Sequence, residues 1–124
     1  MEASSINSAI FCDQFNNLSN MKAHEEGTGL EIWEQTNGKI DAFVMSAGTG
    51  GTIAGVSRFL KARRPGIQVV LADPPGSSLF NWVQHGVCYA EQQAERRVRR
   101  HRYDTIAEGI GLDRVTANLA RATI

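Results

Sequence analysis

Residues 48–52 read Gly48-Thr49-Gly50-Gly51-Thr52, three glycines and two hydroxyl side chains in five positions. Glycines at 48, 50 and 51 let a backbone take positive φ and come close to a guest. A turn of this kind at the start of a helix exposes backbone N–H groups at the positive end of the helix dipole, where phosphate is the common guest. Thr49 and Thr52 add hydroxyl donors. The other reading is a tight turn that only packs well.

The class of phosphate follows from what is absent around the loop. A nucleoside-triphosphate loop needs G-x-x-x-x-G-K-[ST], but residues 50–57 read GGTIAGVS, with Val56 where the lysine belongs. The β- and γ-phosphates would lose their main cation, so that reading fails. A dinucleotide fingerprint needs G-x-G-x-x-G; counted from Gly48, its third glycine falls on Ile53. Asp73 could still accept ribose hydroxyls at the end of the next strand, so a dinucleotide-binding βαβ fragment stays open as an alternative. A phosphate monoester asks least of the turn and matches it best.

The elements that must hold this loop can be read from periodicity. Ile40–Ser46 is a nearly continuous apolar run after the turn-like Asn37-Gly38, the pattern of a buried strand in a parallel sheet. After the loop, Ile53, Val56, Phe59 and Leu60 recur at helical spacing. Basic residues cluster toward the C-terminal end of this amphipathic helix, where they favour the dipole. Pro65-Gly66 stops it, and Ile67–Ala72 is a second strand that ends at Asp73-Pro74-Pro75-Gly76. Strand, turn, helix and strand in about 33 residues make one βαβ unit, over residues 40–73. Flanking segments read as helical. Asn20 is a candidate cap for a helix beginning MKAHEE, Gly27-Thr28-Gly29 a break before LEIWEQT, and SSLFNWVQH a short helix capped by Ser77 or Ser78 and closed by Gly86.

Composition sets the outer bounds. A chain of 124 residues is about one domain's worth. Acidic and basic residues balance at 13 each, so no global field recruits nucleic acid or an anionic membrane. The apolar runs are too short to span a bilayer, and the start, MEASSINSAIFCD, lacks the basic and apolar regions of a secretory signal. Cys12 and Cys88 stand far apart and read as reduced, semi-buried thiols of an intracellular protein, cytoplasmic or mitochondrial. His24, His85 and His101 are not at ligand spacing, so no metal site is expected. Arg96–Arg102, RRVRRHR, is the one strongly charged run. Without interleaved aromatics it reads as a solvated face rather than a nucleic-acid site.

GTGGTIAGVSRFLK, with DQFNN upstream and EGIG downstream, resembles the cysteine synthase and cystathionine β-synthase family. These are fold-type II pyridoxal-phosphate enzymes, tryptophan synthase β-like, and the resemblance is to their fungal and bacterial cysteine-synthase-like subgroup. It covers roughly residues 8 to 124 and departs at Leu30, where the family usually has proline. It implies an α/β fold, a partial three-layer parallel sheet flanked by helices, forming the cofactor phosphate-binding portion of the enzyme. The implied activity is β-replacement on serine or O-acetylserine in cysteine biosynthesis, by a homodimeric parent acting on a small amino acid. Carried over by residue, Gly48, Thr49, Gly50, Gly51 and Thr52 bind the phosphate of pyridoxal 5'-phosphate. Gln14, beside Phe15, holds the substrate carboxylate, and Gly109 and Gly111 line the site near substrate and cofactor ring. Glu108, a lone carboxylate, reads as a solvated group, and no catalytic residue is assigned.

The same resemblance marks what is not matched. The family bonds its cofactor to a lysine well upstream, and Lys22, Lys39 and Lys61 match no family lysine. Lys61 falls nine residues past Thr52, roughly 13 Å along a helix at 1.5 Å per residue. The upstream loop that binds substrate carboxylate, and the serine facing the pyridine nitrogen, have no counterpart either. The sequence therefore reads as one central fragment of such an enzyme, inactive alone. The alternative is a non-catalytic protein that holds a phosphate ligand or pairs with a full-length subunit.

Overall fold

In the computed structural model, residues 5–6, 9–90 and 107–124 are described. The basic run Arg96–Arg102 therefore lies outside the described residues. The chain opens with a minimal antiparallel pair, β1 (Ser5–Ile6) and β2 (Ala9–Ile10). Then come α1 (Ser19–Ala23), a π-helical turn (His24–Thr28), α2 (Gly29–Gln35), β3 (Ala42–Met45), α3 (Gly51–Arg63), β4 (Gln68–Leu71), α4 (Leu79–His85) and a 3₁₀ turn (Leu119–Arg121).

The βαβ unit is the frame of the molecule. β3 and β4 pair in parallel, with Ala42 opposite Gln68 and Met45 opposite Leu71, and α3 makes the crossover. Both strands are shorter than their apolar runs. Asn37 (φ 50°) and Gly38 (φ 68°) turn the chain into β3. Arg64, the residue before Pro65, is extended at φ −142° and closes α3, as the steric restriction on a pre-proline residue requires. Two packed clusters hold the unit. Ile53 of α3 meets Ala47, Val69, Leu79 and Leu119, while Val56 and Leu60 meet Ile67 and the half-buried Ile32, Trp33 and Phe43. Ile53 and Leu60 are fully buried, each contributing about 1.5–3 kcal/mol relative to an exposed side chain.

One expectation about the strands needs correcting. Only the face carrying Phe43, Met45, Val69 and Leu71 meets the core. The opposite face is open, with Val44 at 59% and Val70 at 43% exposure. Among the described residues the packed clusters lie on that one face of the two-stranded sheet.

The helical lead-in also differs. No break occurs at Gly27-Thr28-Gly29. The backbone stays right-handed through Thr28 (φ −55°) and Gly29 (φ −63°), and the Gly29 N–H donates to the His24 carbonyl, closing a π turn. The reason is packing. A Cβ at Gly29 would lie 2.8 Å from Cβ of Phe59, and one at Gly55 would strike the backbone of Met21 and Glu25. These glycines are contact points between two crossing helical segments rather than turn signals. Asn20 is not a cap either; it lies inside α1, behind Leu18. The α4 expectation holds: Ser78 is its N-cap, Ser77 Oγ accepts from the Leu79 N–H at 3.3 Å, and Gly86 ends it at φ 73°. No helix among the described residues is long and apolar enough to cross a membrane.

Candidate functional site

The Gly48–Thr52 loop joins β3 to α3, with Gly50 as the helix N-cap at φ 82°. L-residues rarely adopt that conformation, and a Cβ there would also run into Leu119. Among the described residues, no hydrogen-bond acceptor is found for the backbone N–H groups of Gly48, Thr49, Gly50 or Thr52. Four donors are thus left over where a 13-residue helix begins. A Cβ at Gly48 would collide with the Gly109 carbonyl, and one at Gly51 with the Asn20 amide. The loop needs its glycines, and its open donors suit a dianion.

Side chains from three directions brace the loop. Asn20 Nδ2 donates to Thr49 Oγ1 at 2.9 Å and to the Gln14 carbonyl at 2.9 Å. Thr49 Oγ1 also accepts from the Gly51 N–H at 3.3 Å, which leaves the Thr49 hydroxyl hydrogen to be given to a ligand. His24 lies between two hydroxyls, with Nε2 3.1 Å from Thr52 Oγ1 and Nδ1 2.9 Å from Thr28 Oγ1. From the C-terminal side, Thr116 Oγ1 donates to the Thr49 carbonyl at 2.6 Å and accepts from the Leu119 N–H at 2.9 Å.

Beside the loop is a cavity of about 430 Å³ lined by Gln14, Phe15, Gly48, Thr49 and residues 107–112. It brings together Gln14, Phe15, Gly48, Thr49, Gly109 and Gly111 from three separate parts of the chain. Gly50 and Gly51 are buried behind it, and half-buried Thr52 is turned to His24. Gly109 (φ 78°) and Gly111 (φ 85°) shape the far wall, and the Gly111 N–H donates to the Ala47 carbonyl at 2.9 Å. Fully buried Asn118 fixes the near wall. Its Nδ2 donates to the carbonyls of Gln14 (3.2 Å) and Phe15 (2.7 Å), and its Oδ1 accepts from the Met21 N–H at 3.1 Å. Arg114 stacks over the Phe15 ring, its guanidinium carbon 5.2 Å from the centroid. Glu108 is an exposed part of the lining.

No lysine lines the cavity. Lys22 is paired with Glu26 at 3.6 Å on the outer surface, Lys39 is exposed, and Lys61 is on the last turns of α3. Cys12 and Cys88 are both exposed rather than semi-buried, and neither lines the cavity; Cys88 lies in the segment that follows α4. Desolvation raises its thiol above the ordinary value, a Val115 N–H bond opposes this and the Asp113 charge adds to it, so it is not an activated nucleophile. Asp73, a ribose-binding candidate in the dinucleotide alternative, accepts the Phe80 N–H through Oδ2 at 2.8 Å. No group of His, Cys, Asp and Glu among the described residues could hold a metal ion.

Asn20, His24, Thr116 and Asn118 are the residues that sequence reasoning missed. Asn20 and His24 stand four apart, one helical turn, so their projection toward the same neighbour is legible once Asn20 is placed inside the helix rather than at its cap. Nothing in the spacing marks Thr116 or Asn118.

The model for pyridoxal-phosphate dependent enzymes matches residues 1–124. The chain belongs to this family. It is 53% identical over 112 residues to cysteine synthase 2 of Schizosaccharomyces pombe, covering 90% of this chain and 28% of that protein. With cysteine synthase 2 of Emericella nidulans the identity is 56% over 108 residues, or 87% of this chain and 25% of the other. Among solved structures, an O-acetylserine dependent cystathionine beta-synthase from Helicobacter pylori superposes with a TM-score of 0.67. It is 28% identical, over 91% of this chain and 31% of that one. The fold is therefore the α/β fold of fold-type II enzymes, and the chain spans little more than a quarter of the curated relatives it matches.

Proposed function

We propose that this chain forms the cofactor-phosphate cradle and adjoining substrate-facing walls of a cysteine synthase-like enzyme. The reaction is replacement of the β-substituent of serine or O-acetylserine in cysteine biosynthesis, and the working parent is a homodimer. Pyridoxal phosphate, when bound, supplies an electron sink for carbanion chemistry at an amino-acid substrate. The backbone N–H groups of Gly48–Thr52 and the Thr49 hydroxyl hold its phosphate. Gln14 holds the substrate carboxylate beside Phe15, and Gly109 and Gly111 leave room for substrate and ring. The observation that carries this reading is that four loop N–H groups have no acceptor among the described residues, those of Gly48 and Thr49 belonging to residues that line the cavity with Gln14 and Gly109.

A second reading is favoured by one observation, that none of the three lysines lines the cavity. In that reading the chain holds a phosphate ligand without catalysis, alone or paired with a full-length subunit. Titration of the purified chain with pyridoxal phosphate and with inorganic phosphate, followed through the Gly48–Thr52 amide resonances, tests the cradle common to both. Saturable shifts confined to the loop and cavity are expected; no shift at millimolar ligand removes both readings.

A further inference from the structure

We propose that His24 controls the direction in which the Thr52 hydroxyl donates, so that an anion in the loop selects the His24 tautomer with hydrogen on Nε2. This rests on the phosphate reading above and adds a proton-level device to it. Neutral imidazole has one N–H and one bare nitrogen, and here each nitrogen faces a threonine hydroxyl, Thr28 at 2.9 Å and Thr52 at 3.1 Å. With hydrogen on Nδ1, His24 donates to Thr28 and its Nε2 accepts the Thr52 hydroxyl hydrogen. That hydrogen then points away from the loop, and Thr52 offers an incoming anion only lone pairs. With hydrogen on Nε2, His24 donates to Thr52 Oγ1, the Thr52 hydrogen is released toward the anion, and Thr28 turns its own hydrogen to Nδ1. The two arrangements keep the same heavy-atom contacts and differ only in where three hydrogens lie.

The surroundings make this a choice of hydrogens rather than of rotamers. His24 opens the π turn, and α3 crosses directly over it at Gly55, where an added Cβ would lie 2.7 Å from His24 Cβ. The nearby ionic groups are already committed to one another, Glu25 to Arg58 at 3.2 Å and Lys22 to Glu26 at 3.6 Å. Thr52 is at the second position of α3, and its own N–H has no acceptor among the described residues, so a hydroxyl hydrogen released there adds to the donors at the start of the helix.

The test uses the ¹⁵N-labelled chain with inorganic phosphate, then pyridoxal phosphate, at one fixed pH near 8. Long-range ¹H–¹⁵N spectra report each ring nitrogen as protonated or bare. On saturation the His24 Nε2 signal should move from the bare toward the protonated range, with His85 and His101 unmoved. Thr52→Val should weaken phosphate about tenfold, the value of a hydrogen bond to a charged group, and should make the His24 signals insensitive to phosphate. Loop amides that shift while the His24 nitrogens stay unchanged would overturn this inference and leave the cradle standing. Loop amides that never shift would overturn both.

Discussion

The Thr116 hydroxyl donates to the Thr49 carbonyl at 2.6 Å, tying the Gly48–Thr52 loop to a residue 67 positions later in the chain. The same oxygen accepts the Leu119 N–H, and Leu119 packs against Gly50 and Ile53. One side chain thus fixes a carbonyl of the loop and starts the 3₁₀ turn that backs it. Thr116→Val keeps the shape but strands the buried Leu119 N–H. The expected cost is about 1–3 kcal/mol, read as a lower midpoint in urea denaturation. Thr116→Ser, which keeps the hydroxyl, should restore most of it.

Gly50 gives the sharpest test of the loop itself. Its φ of 82° and its contact with Leu119 both refuse a side chain. Gly50→Asp adds a Cβ and a carboxylate where an anion would sit, and should abolish binding of phosphate and pyridoxal phosphate. Gly48→Ala separates folding from binding, because its Cβ meets the Gly109 carbonyl at the cavity wall rather than Leu119. It should weaken binding while the core stays folded by near-ultraviolet circular dichroism. A wild-type dissociation constant for Gly50→Asp would remove the site.

Asn118 is the second brace. Asn118→Asp keeps the acceptor for the Met21 N–H but replaces the donor to the Gln14 and Phe15 carbonyls with a buried oxygen. Asn118→Ala loses both functions. Each should cost roughly 2–3 kcal/mol, and each should speed amide exchange across residues 13–21 before the βαβ unit opens. Uniform exchange at wild-type rates would show that the segment is held by something else.

The parts of this architecture that were readable from sequence are the local ones. β3, the loop, α3 and β4 announce themselves because apolar spacing changes from a continuous run to a helical period and back, with Asn37-Gly38 and Pro65-Gly66 at the edges. The cavity residues Gln14, Gly109 and Gly111 came from resemblance, not from spacing. Their meeting depends on contacts such as Asn118 to Gln14, 104 residues apart, which leave no local periodicity. The glycines at 27 and 29 misled for a physical reason. Absence of a side chain serves a turn and a close helix crossing equally well, and Phe59 decides which applies at Gly29. The open face at Val44 and Val70 was unreadable because an apolar run states which residues avoid water, not which elements cover them.

The last prediction concerns catalysis by the 124-residue chain. β-Replacement needs an amine that bonds to the cofactor and moves the substrate's α-proton. A group anchored at Gly48–Thr52 and extending into the cavity toward Gly109 meets no lysine, since Lys22 is paired on the outer surface, Lys39 is exposed and Lys61 lies toward the opposite end of α3. The chain saturated with pyridoxal phosphate should therefore form no cysteine from O-acetylserine and sulfide above the rate of the cofactor alone. Borohydride treatment followed by peptide mapping should find no adduct concentrated on one lysine. Turnover above background together with a single trapped lysine would show that one of the three reaches the ring. Tight binding with neither turnover nor trapping is the outcome expected of this chain as a cradle, and it is common to both readings.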